Sequence, residues 1–301
     1  MLRTFIKRLI GPYLGNARFT FAAPLAYPPG HFYSPICDPA ELRRHHYHDP
    51  DTTPPPSVVP GIDLAHDAQL QLWDNLTPFL PEARGLVTQD QNKRYQTPSI
   101  SYGEGDAIIY CCMLRHLRPA QLIEIGSGSS SVVALDTFDR FFAERPQCRF
   151  IDPYPALLRS MLTPQDNATV EIVESAIQDV SPTAFDVLGS NDILFIDSTH
   201  IVKTGSDVAY ELFEILPRLR SGVVVHFHDV FYPFEYPRLW ALDLNYSWNE
   251  IYALRAFLTG NRDWEILFFN DYFARTERAR VAQDAPEVLA NPGGGLWLRR
   301  R

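Results

Sequence analysis

"QLIEIGSGSSSVVALDTFDRFF", Gln121 to Phe142, decides the fold. Its first five residues read as a strand, and "SSVVALDTFDRFF" reads as a helix. Between them lies a glycine turn. A strand that passes through such a turn into a helix opens a crossover unit, so a second parallel strand must follow. Downstream, "CRFID", "TVEIVES", "NDILFID" and "GVVVHFHD" supply further strands. The helical stretches "PALLRSML" and "GSDVAYELFEILPRL" fall among them. Alternation of this kind means right-handed crossovers and a parallel sheet covered on both faces. A tail follows, with helix "NEIYALRAFLTGN" and two strands, "DWEILFFND" and "GGLWLRR", joined by "RTERARVAQDAPEVLANPGG". The last two strands pair antiparallel at one sheet edge. The expectation is a doubly wound, Rossmann-like α/β fold: a mostly parallel seven-stranded sheet with an antiparallel final strand, plus an N-terminal extension.

Toward the N-terminus the pattern changes. "DLAHDAQLQLWDNLTPFL" places Leu64, Ala68, Leu72 and Leu76 at helical spacing. "YQTPSISYGEGDA" is a loop leading into "GDAIIYCCMLRHLRP", a helix that stops before Pro119. Residues 1–62 are rich in proline, histidine and aromatics, have no period of either kind, and read as an extended arm. The chain therefore divides into an arm over 1–62, a helical cap or lid region over 63–118, and a ligand-binding domain over 119–301.

Composition narrows the function classes. Of 301 residues, 46% are hydrophobic and 21% charged, which suits a sizeable core and argues against disorder. The net charge of −9 argues against non-specific nucleic-acid binding, which needs a basic footprint. The four cysteines form no zinc spacing and read as reduced thiols of a cytoplasmic protein. No run of 18 apolar residues occurs, so no transmembrane segment is expected. The basic, apolar start "MLRTFIKRLIGPYL" lacks the core and cleavage site of a signal peptide and reads as a helix packed on its own domain. The cluster "RRHHYH", Arg43 to His48, lacks a regular histidine pair and reads as a solvated surface segment.

Function is sought at the carboxyl ends of the strands, where open parallel sheets bind ligands. Glu124-Ile-Gly126-Ser127-Gly128 follows the first strand and Asp152 the second. Ala176 and Gln178 lie just beyond the third. Asp197-Ser-Thr-His200 follows the fourth and His226-Phe-His228-Asp229 the fifth. Each has a plain alternative: Asp152 as a helix cap before Pro153, His200 as a group at a helix start, "HFHD" as a satisfied strand end. A polar group at every strand end is harder to explain by packing alone. Strand side chains alternate, so His226 and His228 share one face, and Asp229 points to the other or turns into the loop.

Together, "LIEIGSGSSS", the Asp152 strand end and "ILFIDSTH…GVVVHFHD" resemble class I S-adenosylmethionine-dependent methyltransferases, within them a bacterial group related to sugar and natural-product O-methyltransferases. The resemblance covers roughly residues 119–228 and runs on through the closing strand pair. It implies transfer of a methyl group from S-adenosylmethionine to a hydroxyl of a small molecule or sugar. It implies that Glu124, Gly126, Ser127 and Gly128 hold the methionine part and Asp152 the ribose. Ala176 to Asp179 then flank the adenine, with Gln178 or Asp179 near its amino group, and Asp197 faces the methyl-bearing sulfur. In metal-dependent relatives the fourth-strand aspartate and an acidic pair after the fifth strand bind magnesium. Here that pair is His228-Asp229, so a metal on Asp197, His228 and Asp229 would be manganese, zinc or iron, because imidazole suits magnesium poorly. His200, His226 and His228 are the candidate general bases.

Other readings stay open. A nicotinamide-dependent oxidoreductase would share the sheet, but it wants pyrophosphate at the glycine loop, where "GSGSSS" lacks the third glycine. Other metal-dependent chemistry on the same fold, such as hydroxylation, and a non-catalytic binding protein complete the set. Whether the chain forms homo-oligomers is open too.

Overall fold

The structure, a computed structural model, describes residues 26–44, 49–50, 52–88, 93–99 and 101–301. The basic N-terminal stretch and most of "RRHHYH" lie outside the described residues. Seven strands form one sheet: β1 (Gln121–Ile125), β2 (Gln147–Ile151), β3 (Val170–Val173), β4 (Ile193–Ile196), β5 (Val224–Phe227), β6 (Trp264–Phe269) and β7 (Leu296–Arg300). Their order is β3-β2-β1-β4-β5-β7-β6. β1 to β5 run parallel, and β7 runs antiparallel to both neighbours. The chain order reverses between β1 and β4, the switch point at which such sheets open a crevice. β1, β4 and β5 are almost wholly buried, which is why they read as continuous apolar runs rather than alternating ones.

Two cores flank the sheet. On one face lie Leu122, Phe195, Val224 and Trp297, covered by Glu104–Leu117 and Ser129–Phe141. On the other lie Ile123, Ile125, Leu194, Val225 and Phe227, covered by the segment from Val208 to Leu219 and by Glu250–Leu258. Helices from the stretch before β1 form part of the first layer: Glu104–Leu117 buries most of its length, and His66–Leu76 packs against β6. The connection from β6 to β7, read above only as a link, is helical over Asn270–Thr276, Arg278–Asp284 and Pro286–Ala290. Val281 and Val288 bury one apolar residue from each of the last two of these helices in the first core, with Ala285 at the break between them.

Candidate active site

The strand ends do converge. The glycine turn, Asp152, Ala176, Gln178 and Asp197 all line one cavity of about 430 Å³. Gly126 holds this geometry open. Its φ is +77°, and a Cβ there would lie 1.8 Å from the Asp197 carbonyl oxygen, so only glycine lets β1 and β4 turn past each other. Beyond the turn, Ser131 Oγ accepts from the Gly128 N–H at 3.0 Å, which fixes the start of the next helix. Asp152 accepts from Ser127 N–H and Oγ at 2.9 and 2.8 Å and from Tyr154 N–H at 2.6 Å. Its carboxylate thus ties two strand-end loops together as well as facing the cavity. Gln178 donates to the Gly205 carbonyl at 2.9 Å.

Glu124 takes another place. It is fully buried, on the face of β1 that meets helix Glu104–Leu117, and is not part of the cavity wall. It accepts from Ser130 Oγ at 2.5 Å. Burial, only partly offset by Ser130 and Ser131, pushes its carboxyl up to about 8. It supports the glycine turn from beneath.

Next to the cavity, sharing Asp197 with it, lies a cluster of titratable groups. His200 Nε2 is 3.5 Å from Asp197 Oδ1 and 3.4 Å from Asp229 Oδ2. His228 Nδ1 is 3.5 Å from both Asp197 Oδ1 and Asp229 Oδ1. Local backbone makes this possible. His200 and Asp229 both sit in the left-handed region, at φ 61° and 60°. That conformation costs a non-glycine residue roughly 1–2 kcal/mol. At Asp229 it breaks the two-residue alternation and brings the carboxylate to the same side as His228. Gly294 permits it: a Cβ there would lie 2.8 Å from Asp229 Cα. The His200 carbonyl accepts from the Asn249 and Glu250 N–H groups at 3.0 and 3.1 Å, docking the loop on the helix Glu250–Leu258.

Both histidines rest on a second carboxylate that the sequence reading did not pick. His200 Nδ1 meets Glu250 Oε2 at 2.8 Å, and His228 Nε2 faces Asp106 Oδ2 at 3.5 Å. Burial works against charge on His200, but the Glu250 hydrogen bond and the charges of Glu250, Asp229 and Asp197 lift its pKa to about 9. Burial opposes charge on His228 too, and Asp229 and Asp197 outweigh it and raise it well above the usual range. Burial raises the Asp229 carboxyl, His228 opposes that, Asp197 adds to it, and the group sits at about 6. Burial would raise Asp197 as well, but His228 and His200 hold it below the ordinary carboxylate range. Behind them, buried Glu211 accepts from Ser198 Oγ at 3.2 Å, and burial with Glu250 nearby raises its carboxyl well above normal.

His226 stays apart. It lies on the face of β5 that carries His228, between its register partners Phe195 and Trp297, with ring centroids 4.3 Å away on each side. It touches neither Asp197 nor Asp229, and burial first, then His228, drives its basicity well below normal. The structure therefore brings together Asp197, His200, His228 and Asp229, and leaves His226 in the core.

Two further walls flank the cavity and the cluster; of their residues the sequence points to Tyr95 and Tyr102, as a lid or acceptor wall, but not to Ser101 or Trp248. The loop before Glu104 places Ser101 and Tyr102 on the cavity, with Ser101 Oγ 3.1 Å from Ser129 Oγ. Tyr95 lies behind, its hydroxyl donating to the Tyr102 carbonyl at 2.8 Å. On the other side Trp248 packs on His200 at 4.5 Å between ring centroids.

Residues 123–230 match the family described as Methyltransferase domain. An uncharacterized protein of Archaeoglobus fulgidus is 32% identical over 170 residues, covering 56% of this chain and 76% of that one. Residues 123–230 are therefore a methyltransferase domain, carried on a sheet of the class I S-adenosylmethionine-dependent methyltransferase type. Among solved structures, an SAH-bound methyltransferase of Podospora anserina matches at a TM-score of 0.46, with 13% identity over 82% of this chain and 99% of that one. An O-methyltransferase of Streptomyces achromogenes, involved in tomaymycin synthesis and in complex with SAM, matches at 0.44, with 16% identity over 67% and 82%. Among the described residues of this methyltransferase, no helix is long and apolar enough to cross a membrane.

Proposed function

We propose that the protein transfers the methyl group of S-adenosylmethionine to a hydroxyl of a small molecule or sugar. The observation that carries this reading is the double position of Asp197. It lines the cavity beneath the glycine turn, and its Oδ1 meets both His200 and His228. The donor site and a proton-handling cluster therefore share one carboxylate. In this reading the bare backbone of Gly126, Ser127 and Gly128 faces the methionine part, Asp152 the ribose, and Ala176 and Gln178 the adenine. Glu124 acts from below, by holding the turn.

The acceptor oxygen attacks the methyl carbon in line with the departing sulfur. A C–O bond forms, the C–S bond breaks, and its electron pair returns to sulfur, leaving S-adenosylhomocysteine. Positioning of the two partners about 3–3.5 Å apart supplies much of the rate. The hydroxyl proton must also leave. It passes to whichever of His200 and His228 has first given up its own proton; the neighbouring carboxylates raise both imidazoles, so that release must precede the transfer. A divalent metal fits the same place: Asp197, His200 and Asp229 each offer one donor atom, all within 4.8 Å of one another. When bound, such an ion lowers the pKa of a coordinated hydroxyl. The acceptor side is aromatic. A recess of about 200 Å³ is lined by Tyr236, Trp240, Tyr246, Trp248 and Tyr252, and Trp248 connects it to His200. Such rings suit flat molecules and sugar faces alike.

Calorimetric titration with S-adenosylmethionine and with NAD tests the donor, and radiolabelled methyl transfer to a panel of phenols and sugars tests the reaction. Binding of S-adenosylmethionine alone is expected. Binding of NAD alone, or of neither, would overturn the reading.

A further inference from the structure

The recess on the acceptor side is walled by five aromatic rings, Tyr236, Trp240, Tyr246, Trp248 and Tyr252, and by Glu235. Trp240, Tyr246 and Trp248 are only half-buried, and Tyr252 is 43% exposed. Grouped apolar surface left open in this way marks a binding groove. The angles between the rings decide what fits it. Trp240 and Trp248 stand at 75°, Tyr236 and Trp248 at 71°, and Tyr236 and Tyr252 at 89°, with centroids 5.4–6.0 Å apart. A flat acceptor is gripped between parallel faces. Faces that meet near right angles wall a corner, and a corner fits a compact, rounded group. The recess holds about 200 Å³. A cavity of roughly 150 Å³ takes a benzene-sized guest, so a head of trimethylammonium size has room.

Charge narrows the group further. Among the described residues no lysine, arginine or histidine lines the recess. The Glu235 carboxylate is held in the wall, where its Oε1 accepts from the Tyr252 hydroxyl and, at 3.1 Å, from the Tyr236 N–H. Burial raises the Tyr236 and Tyr246 hydroxyls, with Glu250 and Asp229 adding at Tyr236 and Asp229 at Tyr246, so the negative field of the neighbouring cluster reaches the recess. A cation over a ring face is attracted by the ring quadrupole, most strongly at tryptophan. Shape and charge therefore agree on a compact cation.

We infer that the acceptor is a small molecule that carries a cationic ammonium group beside its hydroxyl, and that Tyr236, Trp240, Trp248, Tyr252 and Glu235 form the cage for that group. Trp248 connects the cage to the chemistry, because it lines the recess and also packs on His200 at 4.5 Å between ring centroids. The ammonium takes no part in the transfer. It fixes the hydroxyl relative to the cluster, as positioning by a remote group does. The inference rests on the methyltransferase reading for the fate of the hydroxyl, while the cage stands on its own geometry.

The test compares choline with the alcohol in which a tert-butyl group replaces its trimethylammonium, a ligand of the same shape and no charge. Both are titrated into the full chain at one ionic strength and followed by calorimetry and tryptophan fluorescence. Choline is expected to bind at least ~10-fold more tightly than the neutral alcohol. Glu235→Gln is expected to weaken choline ~3–30-fold and to leave the neutral alcohol unchanged. Trp240→Leu is expected to narrow the ratio between the two ligands ~3–10-fold. The S-adenosylmethionine affinity should stay the same in both variants. Equal binding of the two ligands, binding of neither, or a ratio that neither substitution alters would each overturn the inference. Tighter binding of phenol than of choline would return the recess to flat acceptors. If Trp240→Leu does not fold, Glu235→Gln and the ratio in the unaltered chain still decide. S-adenosylmethionine binding in a chain that does not prefer choline breaks this inference alone. A choline preference in a chain that binds no S-adenosylmethionine breaks the methyltransferase reading and leaves the cage standing.

Discussion

Two clusters of buried charge among the described residues, one around Arg94 and one around Asp197, are built on opposite plans. Around Arg94 every contact is short. Its guanidinium donates at 2.7 Å to each of Asp136, Asp139 and Asp166, and the Arg94 and Tyr95 N–H groups donate to Asp136 at 3.0 and 2.9 Å. Arg145 adds a bond of 2.9 Å to Asp166. Around Asp197 the nearest charged contacts between the site residues are 3.4–3.5 Å, and His228 and one oxygen each of Glu250 and Glu211 have no hydrogen-bond partner. A buried polar group left without a bond costs free energy, roughly 1–3 kcal/mol each. A cluster closed on itself holds the chain, here the loop that carries Ser101 and Tyr102 to the cavity. A cluster held slightly apart is completed by something else.

The largest effect expected from this contrast is on activity. Asp197→Asn keeps the shape but removes the charge shared by the cavity and both histidines. Methyl transfer is expected to fall by ~10²–10⁴, while the urea midpoint falls only modestly, because the lost attraction to His228 and His200 is partly offset by relief of the repulsion with Asp229. A loss of folding as severe as the loss of activity would erase the distinction between the clusters. Arg94→Met is the mirror experiment. It leaves buried Asp136 without its cation and Asp139 and Asp166 with Arg145 alone, and should cost ~3–5 kcal/mol of stability in urea unfolding. The donor affinity of the fraction that stays folded is expected to drop less than tenfold.

Why one cluster was half legible in the sequence and the other not at all follows from where their residues sit. Asp197, His200, His228 and Asp229 lie at or just past the ends of β4 and β5, and strand ends in an open parallel sheet share an edge. The seven strands could be read for the same reason: buried runs with turns between them leave little choice. Glu250 and Asp106 lie in the first turns of helices, where a carboxylate usually needs no explanation beyond the helix dipole. Arg94 and its aspartates come from three separate segments with no shared period, and only tertiary packing brings them together. Strand alternation places His226 and His228 on one face but does not say where the core stops and the site begins. That boundary is set by Trp297, which comes 71 residues after His226 in the chain and packs beside it.

A pH scan of stability sharpens the comparison, because the two clusters act in opposite directions. Asp166 is held well below its ordinary value of 3.8: burial alone would raise it, but hydrogen bonds from Arg94, Thr163 and Arg145 outweigh burial. In that window the unfolded chain binds the extra proton, so the contribution is present above about pH 4 and is lost as the pH falls. His200 in the metal-free protein is raised from 6.5 to about 9, so its contribution is complete below pH 6.5 and fades as the pH rises through 9. Asp166→Asn is expected to flatten the acid limb of the curve and Glu250→Gln the alkaline limb, each leaving the other limb in place. An acid limb unchanged in Asp166→Asn would assign it to other carboxylates.

The smallest effect is expected at His226, and it marks the edge of the site. Its ring is 1% exposed, neither nitrogen has a hydrogen-bond partner, and Tyr110 lies nearly parallel to it at 6.2 Å between centroids. Exchange for phenylalanine removes two unbonded polar atoms from an aromatic layer, a gain of up to about 1–3 kcal/mol. The larger ring must fit beside Gly295, where even a Cβ would come within 2.9 Å of His226 Cε1, and overpacking costs a similar ~1–3 kcal/mol. The two terms nearly cancel, so His226→Phe should change stability by less than ~1.5 kcal/mol and leave methyl transfer unaltered. A folded variant that has lost more than tenfold in rate would place His226 back among the reacting groups. A variant that fails to fold would mean that the ring nitrogens are bonded after all, through ordered water in the core.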